Sequence, residues 1–301
     1  METELNDIKK LDRQSPSKMA EGMAMQRYAE SSKGEEERIC YDPYAFHFIS
    51  PEIIEYGIKH PDEAKLKVDQ MENLFPGLSS SIIARVRYFD DYLVKCIEKG
   101  LEQLVILGAG YDTRAYRIGE LKGKVKIFEL DHPNTQNFKV DKIKEIFGFT
   151  PDNVTYVPID FETQELAEIL FKNGYNSSIK TLFIMEGLVM YIPEESVKKT
   201  LSFILKNSGK GSSVIFDYYP QSIVDGTSKL EVGKNIRNYL IELGEPLQFG
   251  VEDGKIVEFL SNMGFKNIHN VTGGDYKKYF GGKYENREVC DLLSFTCAVV
   301  K

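Results

Sequence analysis

QLVILGAGYDTR, residues 103–114, changes physical character halfway through. Gln103 to Leu107 is a short apolar run containing Val and Ile, which suits a strand buried on both faces of a parallel sheet. Gly108 and Gly110 end it, because a residue without a Cβ lets the chain turn sharply and lets a ligand lie against the backbone. Asp112 or Thr113 is placed to cap a following helix. A strand, a glycine turn and a helix start, in that order, make the mouth of a ligand site.

Upstream, Ile82, Ile83, Val86, Phe89, Leu93, Val94 and Ile97 recur at three- and four-residue spacing. This predicts one amphipathic helix over residues 79–99, closed by Lys99 and Gly100. Arg85, Arg87, Asp90 and Asp91 fall on its polar flank, and such charges ordinarily form a solvated face. Residues 1–18 are expected to be frayed or loosely helical. Residues 19–30 suggest a capping helix on which Arg27 rides as a solvated arginine. Pro51, Pro61, Pro76 and Gly77 punctuate the chain around a helical stretch at 63–74.

Downstream, strand patterns at residues 124–130, 154–159, 181–185 and 212–217 alternate with helical patterns at 134–147, 163–172 and 194–206. This rhythm predicts a doubly wound, mainly parallel sheet. Residues 218–250 break it, are too long for a plain connection, and read as an inserted lid with an amphipathic stretch at 236–243. A helix at 256–263 and strands at 266–271 and 292–300 follow. The expected division is a helical N-terminal cap, residues 1–78, and a main domain, 79–301, carrying the lid at about 218–250.

Lys and Arg number 38 against 46 Asp and Glu, a formal charge of −8, with no long basic run. Nucleic acid and anionic membrane are not expected as partners. Cys40, Cys96, Cys290 and Cys297 lack CxxC spacing, so reduced, buried thiols are expected and no metal. No apolar stretch approaches the roughly 20 residues that span a bilayer, and METELNDIKKLDRQ has no apolar signal-peptide core. A cytoplasmic location is the expectation.

In an open α/β sheet, ligands bind just past the carboxyl ends of the strands. Here those positions hold Gly108 and Gly110, then Glu129 and Asp131, then Asp160, Glu186 and Asp217. Each acid alone reads as a helix cap or a solvated end, but acids at successive strand ends are harder to dismiss. Glu129 and Asp131 lie about 20 residues past the glycine turn, where an acid reaches a ribose diol in dinucleotide and adenosyl sites alike. Thr113 replaces the third glycine of GxGxxG, and no GK[ST] follows a strand, which weakens pyrophosphate and P-loop readings. An acidic pocket suits a cationic ligand better than a polyanion. An NAD(P)-dependent oxidoreductase remains the second enzyme reading, disfavoured by Thr113 and by the absence of a TyrxxxLys pair after the fourth strand.

The motifs DPYA (Asp42–Ala45), ARVRYFDDYL (Ala84–Leu93), LGAGYDTRAYR (Leu107–Arg117), FELDHP (Phe128–Pro133), PIDFE (Pro158–Glu162) and EGLVMYI (Glu186–Ile192) follow one another in order. Together they resemble the leucine carboxyl methyltransferase family and its related bacterial S-adenosylmethionine-dependent methyltransferases, from about Ala20 to Lys301. The resemblance implies a class I methyltransferase-like, Rossmann-like α/β fold with a C-terminal antiparallel strand, and S-adenosyl-L-methionine as cofactor. It implies that Gly108, Ala109 and Gly110 approach the methionine part and the adenosine, that Asp131 takes the ribose hydroxyls, and that Asp160 with Phe161 holds the adenine. Glu186 would lie near the methionine amino group or the reacting methyl. Arg85 would hold the cofactor carboxylate, and Arg27 would be a second basic residue there. A sulfonium methyl is already activated, so a carboxylate acceptor, small molecule or peptide, needs no general base. An alcohol or phenol would use one, with Glu186, Tyr191 or His132 as candidates. A cofactor-binding regulatory protein without transferase activity is the remaining alternative.

Overall fold

The computed structural model describes residues 15–161, 163–280 and 287–300. Among the described residues, four α-helices precede the first strand: α1 (Lys18–Ser31), α2 (Pro51–Lys59), α3 (Pro61–Leu74) and α4 (Leu78–Glu98). The chain then alternates through β1 (Gln103–Leu107), α5 (Arg114–Arg117), β2 (Lys126–Asp131), α6 (Pro133–Phe147), β3 (Val154–Pro158), α7 (Leu166–Lys172), β4 (Thr181–Met185), α8 (Glu194–Lys206) and β5 (Ser213–Tyr218). Two helices, α9 (Gln221–Val224) and α10 (Glu231–Glu242), occupy the stretch expected as an insertion. The chain continues with α11 (Ile256–Met263), β6 (Lys266–Val271), α12 (Gly273–Phe280) and β7 (Ser294–Val299).

The strands form one seven-stranded sheet in the order β3-β2-β1-β4-β5-β7-β6. All pairings from β3 to β5 are parallel, and β7 runs antiparallel to both β5 and β6. The expected α/β class and the antiparallel strand near the C-terminus are both present. All five residues of β1 are buried, as a central parallel strand covered on both faces requires. Strand alternation then sorts its side chains into two cores. Leu104 and Ile106 pack into the layer containing Ala84, Phe89 and Leu93 of α4, whereas Val105 and Leu107 pack with Leu170 of α7, Val197 and Leu201 of α8, and Leu260 of α11.

Two expectations shift. Pro51, expected only to punctuate the chain, is the first residue of α2, where proline's missing N–H costs nothing and its fixed φ suits a helix. The helix expected from residue 163 starts at Leu166 with Glu165 as its N-cap, so Asp160 does not cap it. The first fourteen residues, expected to be frayed or loosely helical, lie outside the described ones.

Neither α2 nor α3 contains a buried residue. Their apolar side chains, including Ile53, Ile58, Val68 and Met71, stay exposed along the wall of a large cavity. At the end of the hairpin, Gly77 leads into α4. There the Cys290 N–H donates to the Gly77 carbonyl at 3.2 Å.

Gly77 has φ +71°, and a Cβ built on it would lie 2.6 to 2.7 Å from the Val289 backbone. The left-handed conformation alone costs a residue with a Cβ about 1–2 kcal/mol, and backbone cannot yield as a side-chain tip can. Gly77→Ala is therefore expected to lose more than about 2 kcal/mol of stability, read as a fall in the urea midpoint. An unchanged midpoint would contradict this account of the junction.

Candidate active site

β1 and β4 are neighbours, and the chain leaves β1 toward β2 on one side but β4 toward β5 on the other. A sheet of this kind opens a crevice at that switch point. The Gly108–Gly110 turn leaves β1 there, and Glu186 with Gly187 leaves β4. Gly108 has φ +67°, a conformation that disfavours any side chain, and a Cβ would stand 3.0 Å from Leu188 Cδ1. From β2, Asp131 clamps the turn: its Oδ2 accepts the Gly110 N–H at 2.6 Å and its Oδ1 the His132 N–H at 2.7 Å. Burial pushes the Asp131 carboxyl up, against the pull of those two N–H donors. Each oxygen keeps a lone pair for a further donor.

Beneath this turn lies a lattice of buried ions. Arg85 of α4 reaches Asp217 Oδ2 of β5 with Nη1 at 2.6 Å and Glu186 Oε1 with Nε at 3.0 Å. Arg114 of α5 takes the other oxygen of Glu186 at 2.6 Å, and also pairs with Asp112 and with Asp90. Arg117 joins Asp90 at 2.7 Å. Arg27 of α1 pairs with Asp42 at 2.8 Å and donates to the Tyr111 carbonyl at 2.6 Å. Thr113, which occupies the third-glycine position, is buried and donates to the same Asp42 oxygen at 2.7 Å.

These contacts correct two expectations. Arg27 is not a solvated helix residue but is 8% exposed, because Asp42 and the Tyr111 carbonyl hold its guanidinium inside. The polar flank of α4 is not a solvated face either. Arg85 is 5% exposed, and only the Arg87–Asp91 pair matches the expectation, with Arg87 largely in water. Glu129 also departs from its companion Asp131. It is fully buried against Lys139 Nζ at 2.8 Å and the Tyr116 hydroxyl, away from the cavity wall.

The crevice opens into one cavity of about 1640 Å³. That exceeds the ~300–1,000 Å³ typical of a single-ligand pocket. Arg27, Arg85, Gly108, Ala109, Gly110, Asp131, Asp160, Phe161, Glu186, Tyr191 and His132 all line it, so the structure brings the sequence-expected residues together. The opposite walls are mostly apolar and come from α1, α2, α3, the start of α4, and α10. Burial raises the Tyr191 phenol, and the nearby Glu245 and Asp217 carboxylates add to the shift. Tyr191 therefore stays protonated near neutral pH and offers an O–H rather than a base. Tyr219 and Glu245 share the cavity but belong to no recognisable motif, so sequence reading missed them.

The donor set fits S-adenosylmethionine. A ribose diol needs acceptors, which Asp131 retains, an ammonium suits the acid Glu186, and the amino group of an adenine suits the acceptor Asp160, both on the wall. On Arg85, Nη2 meets, among the described residues, only the Met23 thioether, at 3.5 Å. A thioether is a weak acceptor, so this arm of the fork suits a carboxylate.

Asp112 tests the lattice through pH. Burial pushes its carboxyl up, but Arg114, Lys139 and the Arg114 N–H outweigh that and hold it at about 2. A pKa below the ordinary 3.8 contributes stability that is present above about pH 4 and lost as pH falls through about 2. In urea unfolding across this range, Asp112→Asn is expected to be less stable than wild type at pH 6, with the gap narrowing by about 2 kcal/mol toward pH 2. A constant gap would rule out the ionic contribution.

Residues 20–205 match the model of the leucine carboxyl methyltransferase family. The "Putative S-adenosyl-L-methionine-dependent methyltransferase YktD" of Bacillus subtilis (strain 168) is 27% identical over 255 residues, covering 84% of this chain and 82% of that protein. A similarly named protein of Mycobacterium avium (strain 104) is 30% identical over 193 residues, 62% of each chain. Among solved structures, a DUF574 family protein of Streptomyces avermitilis MA-4680 superposes with a TM-score of 0.57 at 13% identity, over 96% of this chain and 99% of that one. That likeness speaks to the fold alone. With the cavity at the sheet's switch point and the family match over more than half its length, the chain belongs to the leucine carboxyl methyltransferase family and is an S-adenosylmethionine-dependent methyltransferase.

Proposed function

We propose that the protein transfers the methyl group of S-adenosylmethionine to an oxygen of a largely apolar acceptor. The observation that carries this reading is the division of one cavity into an acidic floor at the strand ends and apolar walls under the N-terminal helices and α10. The cofactor would occupy the floor. Asp131 would bind the ribose hydroxyls, Asp160 and Phe161 the adenine, and Gly108 to Gly110 would lie along the methionyl and adenosyl parts. Glu186 would face the ammonium group, and Arg85 would use Nη2 for the carboxylate. Arg27, held by Asp42 and the Tyr111 carbonyl, would act on the cofactor through the position of the glycine turn.

The cofactor supplies an electrophilic methyl, so the protein need only align a nucleophile with it and exclude water. On this reading residues 1–78 form a cap and residues 218–250 a lid, and together they shape the acceptor chamber. A carboxylate acceptor, as the family's name implies, needs no proton acceptor. A hydroxyl acceptor is the second reading, favoured by one side chain, Glu245, treated below.

Calorimetric titration with S-adenosylhomocysteine is expected to show saturable binding, and its absence at millimolar ligand would sink the cofactor assignment. Asp131→Asn keeps the shape but loses charge-assisted hydrogen bonds, so affinity is expected to fall about tenfold to a hundredfold. Unchanged affinity in that variant would remove Asp131 from the ribose site.

A further inference from the structure

The apolar half of the cavity contains polar groups that nothing in the lattice uses. Among the described residues, the Glu245 carboxyl and the Tyr191 and Tyr219 hydroxyls have no hydrogen-bond or ion-pair partner, and all three line the cavity. Glu245 lies just past the end of α10, and its N–H donates to the Leu240 carbonyl at 2.8 Å. Three residues on, the Gln248 N–H donates to the Met190 carbonyl at 2.8 Å, and its side-chain Nε2 to the Tyr191 carbonyl at 2.7 Å. Residues 245–248 are thereby tied to the turn at Val189–Tyr191, which Gly187 and Leu188 separate from Glu186. The Glu245 charge adds to the rise that burial causes in the Tyr191 phenol.

The charges around this group decide what it can meet. Arg27, Arg85, Arg114 and Arg117 are each already paired with a protein carboxylate. Lys18 and Lys67 are exposed, and Lys67 sits over the Tyr56 ring at 4.3 Å. An acceptor carboxylate beside Glu245 would therefore meet a like charge within apolar walls. A hydroxyl would meet a hydrogen-bond acceptor.

We propose that Glu245 is the proton acceptor for a hydroxylic substrate, a phenol or alcohol on a hydrophobic body, bound between α10 and the α2–α3 hairpin. This rests on the O-methyl-transfer reading above. As the acceptor O–H bond breaks, its proton passes to the Glu245 carboxylate and the oxygen lone pair forms the bond to the methyl carbon. The methyl–sulfur bond breaks with its electron pair left on sulfur, giving S-adenosylhomocysteine, and Glu245 later returns the proton to water. The other candidates do not serve. Burial holds the Tyr191 and Tyr219 phenols protonated, Glu186 already accepts from two guanidiniums and would face the cofactor's ammonium, and His132 follows Asp131 on the cofactor floor at the end of β2. Burial also raises the Glu245 carboxyl, which brings it closer to the pH at which a general base works best.

A matched pair of probes, 4-butylphenol and 4-butylbenzoate, tests this with the full chain. In calorimetry on protein saturated with S-adenosylhomocysteine, the phenol is expected to bind at least about tenfold more tightly, and Glu245→Gln to abolish that preference. With S-adenosylmethionine, the phenol is expected to be methylated, and Glu245→Gln to lower kcat about 100-fold while affinity for S-adenosylhomocysteine stays within about twofold. The loss should shrink to less than about tenfold for 4-butyl-2-nitrophenol at a pH where it is already ionised, because no proton then needs accepting. Glu245→Asp should restore part of the rate. Equal losses on both phenols would make Glu245 a structural residue and overturn the proposal. Preferential binding and methylation of the benzoate would overturn it too, while leaving O-methyl transfer standing. If neither probe binds or is methylated by protein that binds S-adenosylhomocysteine, the O-methyl-transfer reading falls with it.

Discussion

The guanidinium of Arg85, gripping Asp217 at the end of β5 and Glu186 at the end of β4, is the contact on which the site's geometry depends. Because Glu186 also accepts from Arg114, and Arg114 reaches Asp90 and Asp112, a displacement of one ion is felt across α4, α5 and two strand ends. Such a buried lattice adds less stability than its attractions alone would give, since desolvation offsets part of them. Removing one member is another matter, for it strands a charge in a low-dielectric interior, typically at about 3–5 kcal/mol. The lattice therefore acts mainly by fixing geometry. It fixes the floor of the cavity, whereas part of the wall above it is a hairpin with no buried residue.

Much of the fold was legible because local signals agreed with one another. The bounds of β1, β4 and α8 coincide with those read from apolar runs and glycine or proline punctuation, as expected where periodicity and turn chemistry point the same way. The order of the site was legible too, since a strand-end position is fixed by topology once the strands are known. Asp131, Asp160 and Glu186 reached one cavity for that reason.

What stayed illegible is what faces a polar stripe. Arg85 and Asp90 sit on α4 at positions that suit a surface, and nothing in the spacing says that α5 and two strand ends lie opposite. A charge that looks solvated in one dimension can be the half of a pair whose partner is more than a hundred residues away, as Arg85 and Asp217 are. Glu129 and Asp131 make the same point at close range. Two residues apart on one strand, one is consumed by Lys139 beneath α6 and the other emerges at the cavity. Glu245 carried no signal, because its meaning comes from the backbone bonds that tie its loop to Met190 and Tyr191.

The antiparallel strand β7 has a consequence for how the chain assembles. It lies between β5 and β6, and β6, at the sheet edge, pairs with β7 alone. During synthesis the parallel strands β1 to β5 can associate in turn, but β6 has no neighbour until residues 294–299 have been made. Until then β5 presents an open edge of Val, Ile and Phe, a hazard for aggregation. Closure of the sheet is thus a late event, joining segments far apart in the chain, and such long-range pairing is intrinsically slow. Asp217, which Arg85 needs, lies on that same strand β5 and pairs across the sheet with Phe295. The strand that β7 covers thus also carries one anchor of the ion lattice.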